Sequence, residues 1–409
     1  DGCATRSRLV VARILGGSGY WRHGLAQYSA RLHAAGVPFV ALPGDDKPDA
    51  ELRALSPVGD ADYAALWGYL TEGGPDNARG FLAHARAMLD DTPRPPPARP
   101  LLKSGLFWPG ADAPSLEHLR AHWAPGAAVV PVIFYRALMQ GGGLDPVIRL
   151  TRALLCEGLA PLPVFVTSLR DPVSRATLAA LFARAPPAVI LNCTAFATGS
   201  PHHGEGDEQN PLAGPQANEA PVLQVVLSGG TEDLWRDGTR GLSPADIAMN
   251  VALPEVDGRI LTRAVSFKGE AAFDADTQCS IVTYRALADR VTFVARQAAG
   301  WARLRAKTPA DRKVAIVLAN YPNKDGRLAN GVGLDTPASA HAALRLLADS
   351  GYAVTDLPAT PQALMDRLMA GPTNWLTDRA DRQGGAHLPL STYRQHLAAL
   401  PWPVKQALA

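Results

Sequence analysis

An α/β fold built on parallel sheets is what this sequence of 409 residues predicts. Short apolar runs recur between segments with helical apolar spacing, and glycine or proline punctuates nearly every junction. Strands that alternate with helices of about a dozen residues need crossover connections, and crossovers give parallel sheets. With 47% hydrophobic and 19% charged residues, the chain has apolar side chains enough for two or three cores of ordinary size.

Taken in order, the apolar run 9–15 reads as a strand, the glycines of 16–19 as a turn and 20–35 as a helix. A second strand follows over 36–42, with helices over 63–70 and 78–89, making a small α/β unit of residues 1–92. Five prolines within 92–100 remove backbone donors and fix φ, so 93–100 reads as a linker. Beyond it come strand 128–135, helix 145–157, strand 162–167, helix 171–185 and strand 188–194. Asp171 and Ser243 stand at N-cap positions, Asp171 just before a proline at the first helical position. A polar, glycine-rich stretch over 198–220 interrupts the series as a loop or insertion before strand 222–227. An amphipathic segment over 281–307 closes a central domain of residues 101–307. Strand 313–320, loop 321–335 and helix 337–350 then open a third, truncated α/β unit over 308–409. The whole reads as several Rossmann-like or flavodoxin-like parallel-sheet units joined by linkers.

Forty Lys and Arg against 38 Asp and Glu leave a formal charge of +2, without the excess that draws a chain to nucleic acid or an anionic membrane. The apolar run 127–135 stops at Arg136, about half of what a membrane span needs. Cys3, Cys156, Cys193 and Cys279 form no C-x-x-C pair, so a reducing cytoplasm is expected. The first residue is Asp1 rather than Met, and the sequence reads as a piece of a longer chain.

Several segments could carry chemistry. No Gly-Lys pair followed by Ser or Thr is present, so any ATP is expected to be hydrolysed by another chain. The turn 16–19 falls short of a dinucleotide fingerprint because Arg22 stands where a glycine belongs; an anion at the following helix and a plain tight turn both fit. His202 and His203, with Glu205, Asp207 and Glu208, suit a divalent metal in principle, and a solvated loop equally. His118 and His122 share one helix face without a third ligand nearby, as a surface helix would. In the loop 320–335, Lys324 and Arg327 can meet carboxylates or phosphates, Asn320, Asn323 and Asn330 offer amides, and its glycines let backbone approach a ligand. Glu255 and Asp257 follow Pro254 in a short turn; they could act as bases or strip a metal of water, or serve as caps and salt bridges.

Three runs resemble the family that contains the large subunits of aerobic cobaltochelatase (CobN) and magnesium chelatase. They are Arg-Ile-Leu-Gly-Gly-Ser-Gly-Tyr-Trp at 13–21, Gly-Leu-Ser-Pro-Ala-Asp-Ile-Ala-Met-Asn-Val-Ala-Leu-Pro-Glu-Val-Asp-Gly at 241–258, and 314–335 with its Asn-Tyr-Pro-Asn-Lys wording, which is similar to the cobalt branch. The resemblance implies insertion of Co²⁺ into hydrogenobyrinic acid a,c-diamide on the aerobic route to cobalamin. It implies AAA+ motor partners of CobS and CobT type that hydrolyse ATP. By matching position it carries over Glu255 and Asp257 as catalytic candidates and Asn323, Lys324 and Asn330 as binding candidates. The family's subunits are about three times this length, and their Gly-Lys-His-Gly-x-x-Glu motif is absent here, so the segment alone is expected to be inactive. Magnesium chelatase, or an α/β small-molecule-binding module without enzymatic activity, is the alternative.

Overall fold

The computed structural model describes residues 3–199, 210–319, 328–371, 381–382 and 387–408. It divides into two compact units, Asp1–Arg303 and Leu304–Ala409.

The first unit opens with two parallel strands, β1 (Val10–Ile14) and β2 (Phe39–Pro43). Alternate β2 side chains face opposite ways. Phe39 and Ala41 meet Leu25 and Leu32 of the helix Arg22–Ala34, while Val40 and Leu42 meet Tyr63 and Leu66 of the helix Asp60–Glu72. The proline-rich segment forms no helix or strand, yet it is tied down along its length. Arg94 pairs with Asp62, the Arg99 N–H donates to Asn77 Oδ1 at 2.9 Å, and the Leu101 N–H donates to Glu72 Oε2 at 2.7 Å. Proline fixes the extended path, and side chains of the two preceding helices supply the partners its backbone lacks.

A seven-stranded sheet follows: β3 (Ser104–Leu106), β4 (Val129–Tyr135), β5 (Ala160–Val166), β6 (Ile190–Asn192), β7 (Val222–Ser228), β8 (Ile260–Asp274) and β9 (Cys279–Ala286), in the order β3-β5-β4-β6-β7-β8-β9. The five inner strands are parallel; β3 and β9 run antiparallel at the edges. Helices cover both faces. Val130, Val132 and Phe134 point toward the helices Asp145–Cys156 and Ala288–Ala306, and Ile133 points toward Pro172–Arg184. Asp171 caps its helix, its carboxylate accepting from the Ser174 N–H at 2.8 Å.

Two sequence expectations change here, and a third gains detail. The amphipathic segment 281–307 is an edge strand to Ala286 and then a helix: Ile281–Ala286 pairs antiparallel with β8, and the helix begins at Ala288. The turn around Glu255 is helical, running through Pro244–Ile247, a π turn at Ala248–Ala252 and Leu253–Glu255. The polar interruption is anchored where described: Leu212, Ala217 and Ala220 are buried against Phe182 and its neighbours.

In the second unit, residues 313–319 have the composition of a strand but make no ladder among the described residues. A buried strand exists only with a partner to take its N–H and C=O groups, and over 313–319, the described part of the strand expected at 313–320, no strand is formed. Val314, Ile316 and Leu318 instead line an apolar cavity of about 620 Å³ with Leu344, Leu347 and Leu364. Asp335 caps the helix Thr336–Asp349, and the helix Pro361–Ala370 packs on it. No helix among the described residues is long and apolar enough to cross a membrane. Cys193 is buried, which pushes its thiol up to about 12, whereas Cys3, Cys156 and Cys279 are exposed.

Candidate functional site

The order of the parallel strands fixes where a cavity can open. From β4 the chain passes to β5 on one side and then crosses back to place β6 on the other, so the loops after β4 and β6 depart in opposite directions. A cavity of about 590 Å³ lies at this reversal. It is lined by Tyr135 at the end of β4, Ser168 and Arg170 after β5, residues 194–199 after β6, and Leu253 and Val256.

The β6 loop is held on every side. Tyr135 Oη donates to the Ala195 carbonyl at 3.0 Å, the Phe196 N–H to the Met249 carbonyl at 2.8 Å, and Arg170 Nη2 to the Ala197 carbonyl at 3.0 Å. Phe196 adopts a left-handed φ of 65° while 50% exposed, a conformation that costs a residue with a Cβ about 1–2 kcal/mol. The π turn explains its partner. At π spacing the donor for the Met249 carbonyl would be residue 254, and Pro254 has no N–H, so that carbonyl is left open to Phe196. Ser243 begins this helical run as a cap, and the buried Asp246 carboxylate ties it to the end of β7 by accepting from Ser228 Oγ at 2.8 Å and the Gly229 N–H at 3.1 Å.

Asp257 secures the far end of the loop. Oδ2 accepts from the Thr198 N–H at 2.8 Å and Thr198 Oγ1 at 2.9 Å, and Oδ1 from the Gly199 N–H at 2.8 Å. Arg259 completes the cluster; both its side chain and that of Asp257 are only 1% exposed. Burial works to raise the Asp257 carboxyl, but the Thr198 and Gly199 N–H groups and the Arg259 charge outweigh it and hold the pKa below the ordinary value. Burial lowers that of Arg259. Arg259 Nη1 reaches Gln224 Oε1 at 3.4 Å, which also accepts from Asn192 Nδ2 at 2.8 Å, while Gln224 Nε2 donates to the Thr194 carbonyl at 2.9 Å. One polar network therefore runs from the end of β6 through Gln224 of β7 to Arg259, just before β8, beneath the cavity.

The other sequence candidates fall in several places. Glu255 is exposed at the end of the helical turn, two residues from the enclosed Asp257, and its carbonyl accepts from the Gly258 N–H at 2.9 Å. Asn330 is exposed in the second unit; Asn323, Lys324, Asn320 and Arg327 lie outside the described residues, as do His202, His203, Glu205, Asp207 and Glu208. The His118 and His122 rings are tilted at 52° with centroids 5.1 Å apart, and the His122 centroid lies 4.6 Å from that of Trp108. No group of three His, Cys, Asp or Glu among the described residues is placed to hold a metal. At the glycine turn, Asp49 Oδ2 accepts from the Ser18 N–H at 2.8 Å, so a carboxylate of the chain itself stands where an anion would. That bond and the one from the Leu52 N–H lower the Asp49 pKa.

Sequence reasoning missed Tyr135, Arg170, Phe196, Asn192, Gln224 and Arg259. A faint signal existed for two of them: Asn192 and Gln224 interrupt apolar strand runs, and a polar side chain in a buried strand requires a partner.

The family model described as CobN/Magnesium Chelatase matches residues 67–409. The aerobic cobaltochelatase subunit CobN of Sinorhizobium sp is 45% identical over 99% of this chain and 32% of its own length, and that of Pseudomonas aeruginosa is 40% identical over 98% and 32%. The chloroplastic magnesium-chelatase subunit ChlH of Oryza sativa subsp. indica is 26% identical over 80% of this chain and 24% of its own. The solved catalytic subunit of cobaltochelatase from Mycobacterium tuberculosis superposes with a TM-score of 0.69 at 31% identity, over 99% of this chain and 32% of that one. The chain thus spans about a third of the length of the curated relatives it matches. With most of its residues matched by the family model and nearly its whole length aligned to these relatives, the chain belongs to the CobN/magnesium chelatase family.

Proposed function

We propose that this chain forms part of the large subunit of a cytoplasmic, ATP-dependent cobaltochelatase that inserts Co²⁺ into hydrogenobyrinic acid a,c-diamide during cobalamin synthesis. The observation that carries the reading is the likeness along nearly the whole chain to cobaltochelatase subunits, well above that to magnesium-chelatase subunits. Insertion requires that two pyrrole protons leave, that the metal shed water and that the ring deform. A cavity at the carboxyl ends of parallel strands, with a fixed loop on one side, suits the holding of a macrocycle.

Within this reading the two carboxylates divide their work. Asp257, whose oxygens already accept from Thr198, Gly199 and Arg259, positions the loop. Glu255, open to solvent, is the group of the pair that can take up a proton. Asn323, Lys324 and Asn330 supply polar contacts to substrate, with Lys324 suited to a peripheral carboxylate. ATP is hydrolysed by AAA+ partners of CobS and CobT type, in keeping with a sequence that holds no Walker A motif.

The test is an absorbance titration of the complete polypeptide carrying this sequence, with hydrogenobyrinic acid a,c-diamide and with protoporphyrin IX. Micromolar or tighter binding of the corrinoid alone, and Co²⁺ insertion once motor subunits and ATP are added, is the expected result. Preference for protoporphyrin would move the protein to the magnesium branch, and binding of neither would overturn the chelatase reading.

A further inference from the structure

The cavity at the β4–β6 reversal carries features that folding alone leaves unexplained. Phe196 is held in a left-handed conformation that favours glycine or asparagine, and half of its surface remains exposed. Leu253 and Val256, from the Leu-Pro-Glu-Val turn, also line the cavity while 40% and 45% exposed. Arg170 is the sole charged residue among the described lining residues. Its guanidinium is exposed and gives one hydrogen bond to the Ala197 carbonyl, and the group has five N–H donors to offer. An apolar, aromatic surface beside a single fixed cation complements a flat apolar body with an anionic rim. The volume, about 590 Å³, falls within the range of small-molecule sites.

We propose that Phe196 and Arg170 position the tetrapyrrole, an inference that rests on the chelatase reading above: the Phe196 ring lies against the face of the macrocycle, and the Arg170 guanidinium pairs with a carboxylate at its edge. The loop geometry supports this division. The bonds from Tyr135, Arg170, Thr198 and Gly199, together with the one to Met249, fix the backbone on both sides of Phe196. The ring is thereby presented on a rigid mount, which lowers the ordering cost of stacking on it. Arg170, tied to the same loop through Ala197, is set beside that ring with donors left for a ligand.

The test uses the complete polypeptide, titrated with hydrogenobyrinic acid a,c-diamide and with the same compound after methylation of its carboxylates. Phe196→Gly removes the ring while suiting the backbone, and Phe196→Asn does the same with less added freedom. Both are expected to keep the melting temperature of the parent or exceed it, yet to bind about tenfold more weakly. Arg170→Gln is expected to weaken binding of the free acid about tenfold and to leave that of the methylated compound unchanged, collapsing the preference between them. A merely structural role would move the melting temperature and leave that preference intact. Parent-like binding of the acid by folded Phe196 and Arg170 variants would overturn this placement and leave the chelatase reading standing. Equal weakening of both compounds by Arg170→Gln would overturn the carboxylate pairing. A folded parent that binds neither compound would overturn the chelatase reading and this inference with it.

Discussion

Two loops of the first unit sit at the carboxyl ends of parallel strands, and each presents backbone N–H groups to a carboxylate of the chain. After β1, Asp49 accepts from Ser18; after β6, Asp257 accepts from Thr198 and Gly199. The outcomes differ because the sheets differ. The β1–β2 pair contains no reversal of strand order, so its glycine turn closes on Asp49. The larger sheet reverses between β4 and β6, and the loops diverge around a cavity. The carboxylates differ in kind as well: Asp49 is a helix cap at the surface, whereas Asp257 needs a buried arginine. A carboxylate receiving N–H groups is therefore poor evidence of a ligand site; the strand order around it is better evidence.

Stability measurements can break this contrast. The largest loss is expected for Arg259→Met, which leaves Asp257 enclosed without its cation, at about 3–5 kcal/mol in denaturant unfolding. A double variant with Asp257→Asn should recover part of that, and a small single-variant loss would mean the pair is not what holds the loop. Leu212→Ala, which removes the anchor of the described end of the interruption, is expected to cost about 2–5 kcal/mol; a negligible change in melting temperature would mean that this stretch does not pack. Asp49→Ala should cost only about 1 kcal/mol, the value of an N-cap.

Acid should act on both loops with the same sign. The pKa values of Asp49 and Asp257 are lowered in the fold, so their contributions are fully present above the ordinary carboxyl pKa of about 3.9. They are lost as pH falls through the lowered values. Unfolding midpoints should therefore fall below about pH 4, and Asp49→Asn should reduce that dependence. The smallest stability change is expected for Glu255→Gln, within about 0.5 kcal/mol because the side chain is exposed. If Glu255 takes up a pyrrole proton, the same variant should slow Co²⁺ insertion about 100-fold, and parent-like insertion rates would remove it from the chemistry.

What the sequence disclosed follows from the range of each signal. Strands β4, β5, β6 and β7 and the helices Asp145–Cys156 and Pro172–Arg184 stand out because apolar runs and caps act locally. The short β3 and the β8–β9 hairpin are harder to see: three residues carry no period, and an edge ribbon mixes exposed and buried positions. Residues 313–319 show the converse, an apolar run whose strand pairing depends on a partner that composition does not reveal. The runs carrying the family resemblance included the Leu-Pro-Glu-Val-Asp-Gly turn, and with it Glu255 and Asp257. Arg259, Gln224 and Asn192 escaped notice because they come from three separate segments of the chain and meet only after the sheet is assembled.

The proposed placement puts the substrate at the strand-order reversal and not at the glycine turn. A cryo-electron microscopy map of the complete polypeptide with hydrogenobyrinic acid a,c-diamide tests it most directly. Macrocycle density against Phe196, with a carboxylate at Arg170, is the predicted result; density seated at residues 16–21, or a bound macrocycle elsewhere with the β4–β6 cavity empty, would contradict it.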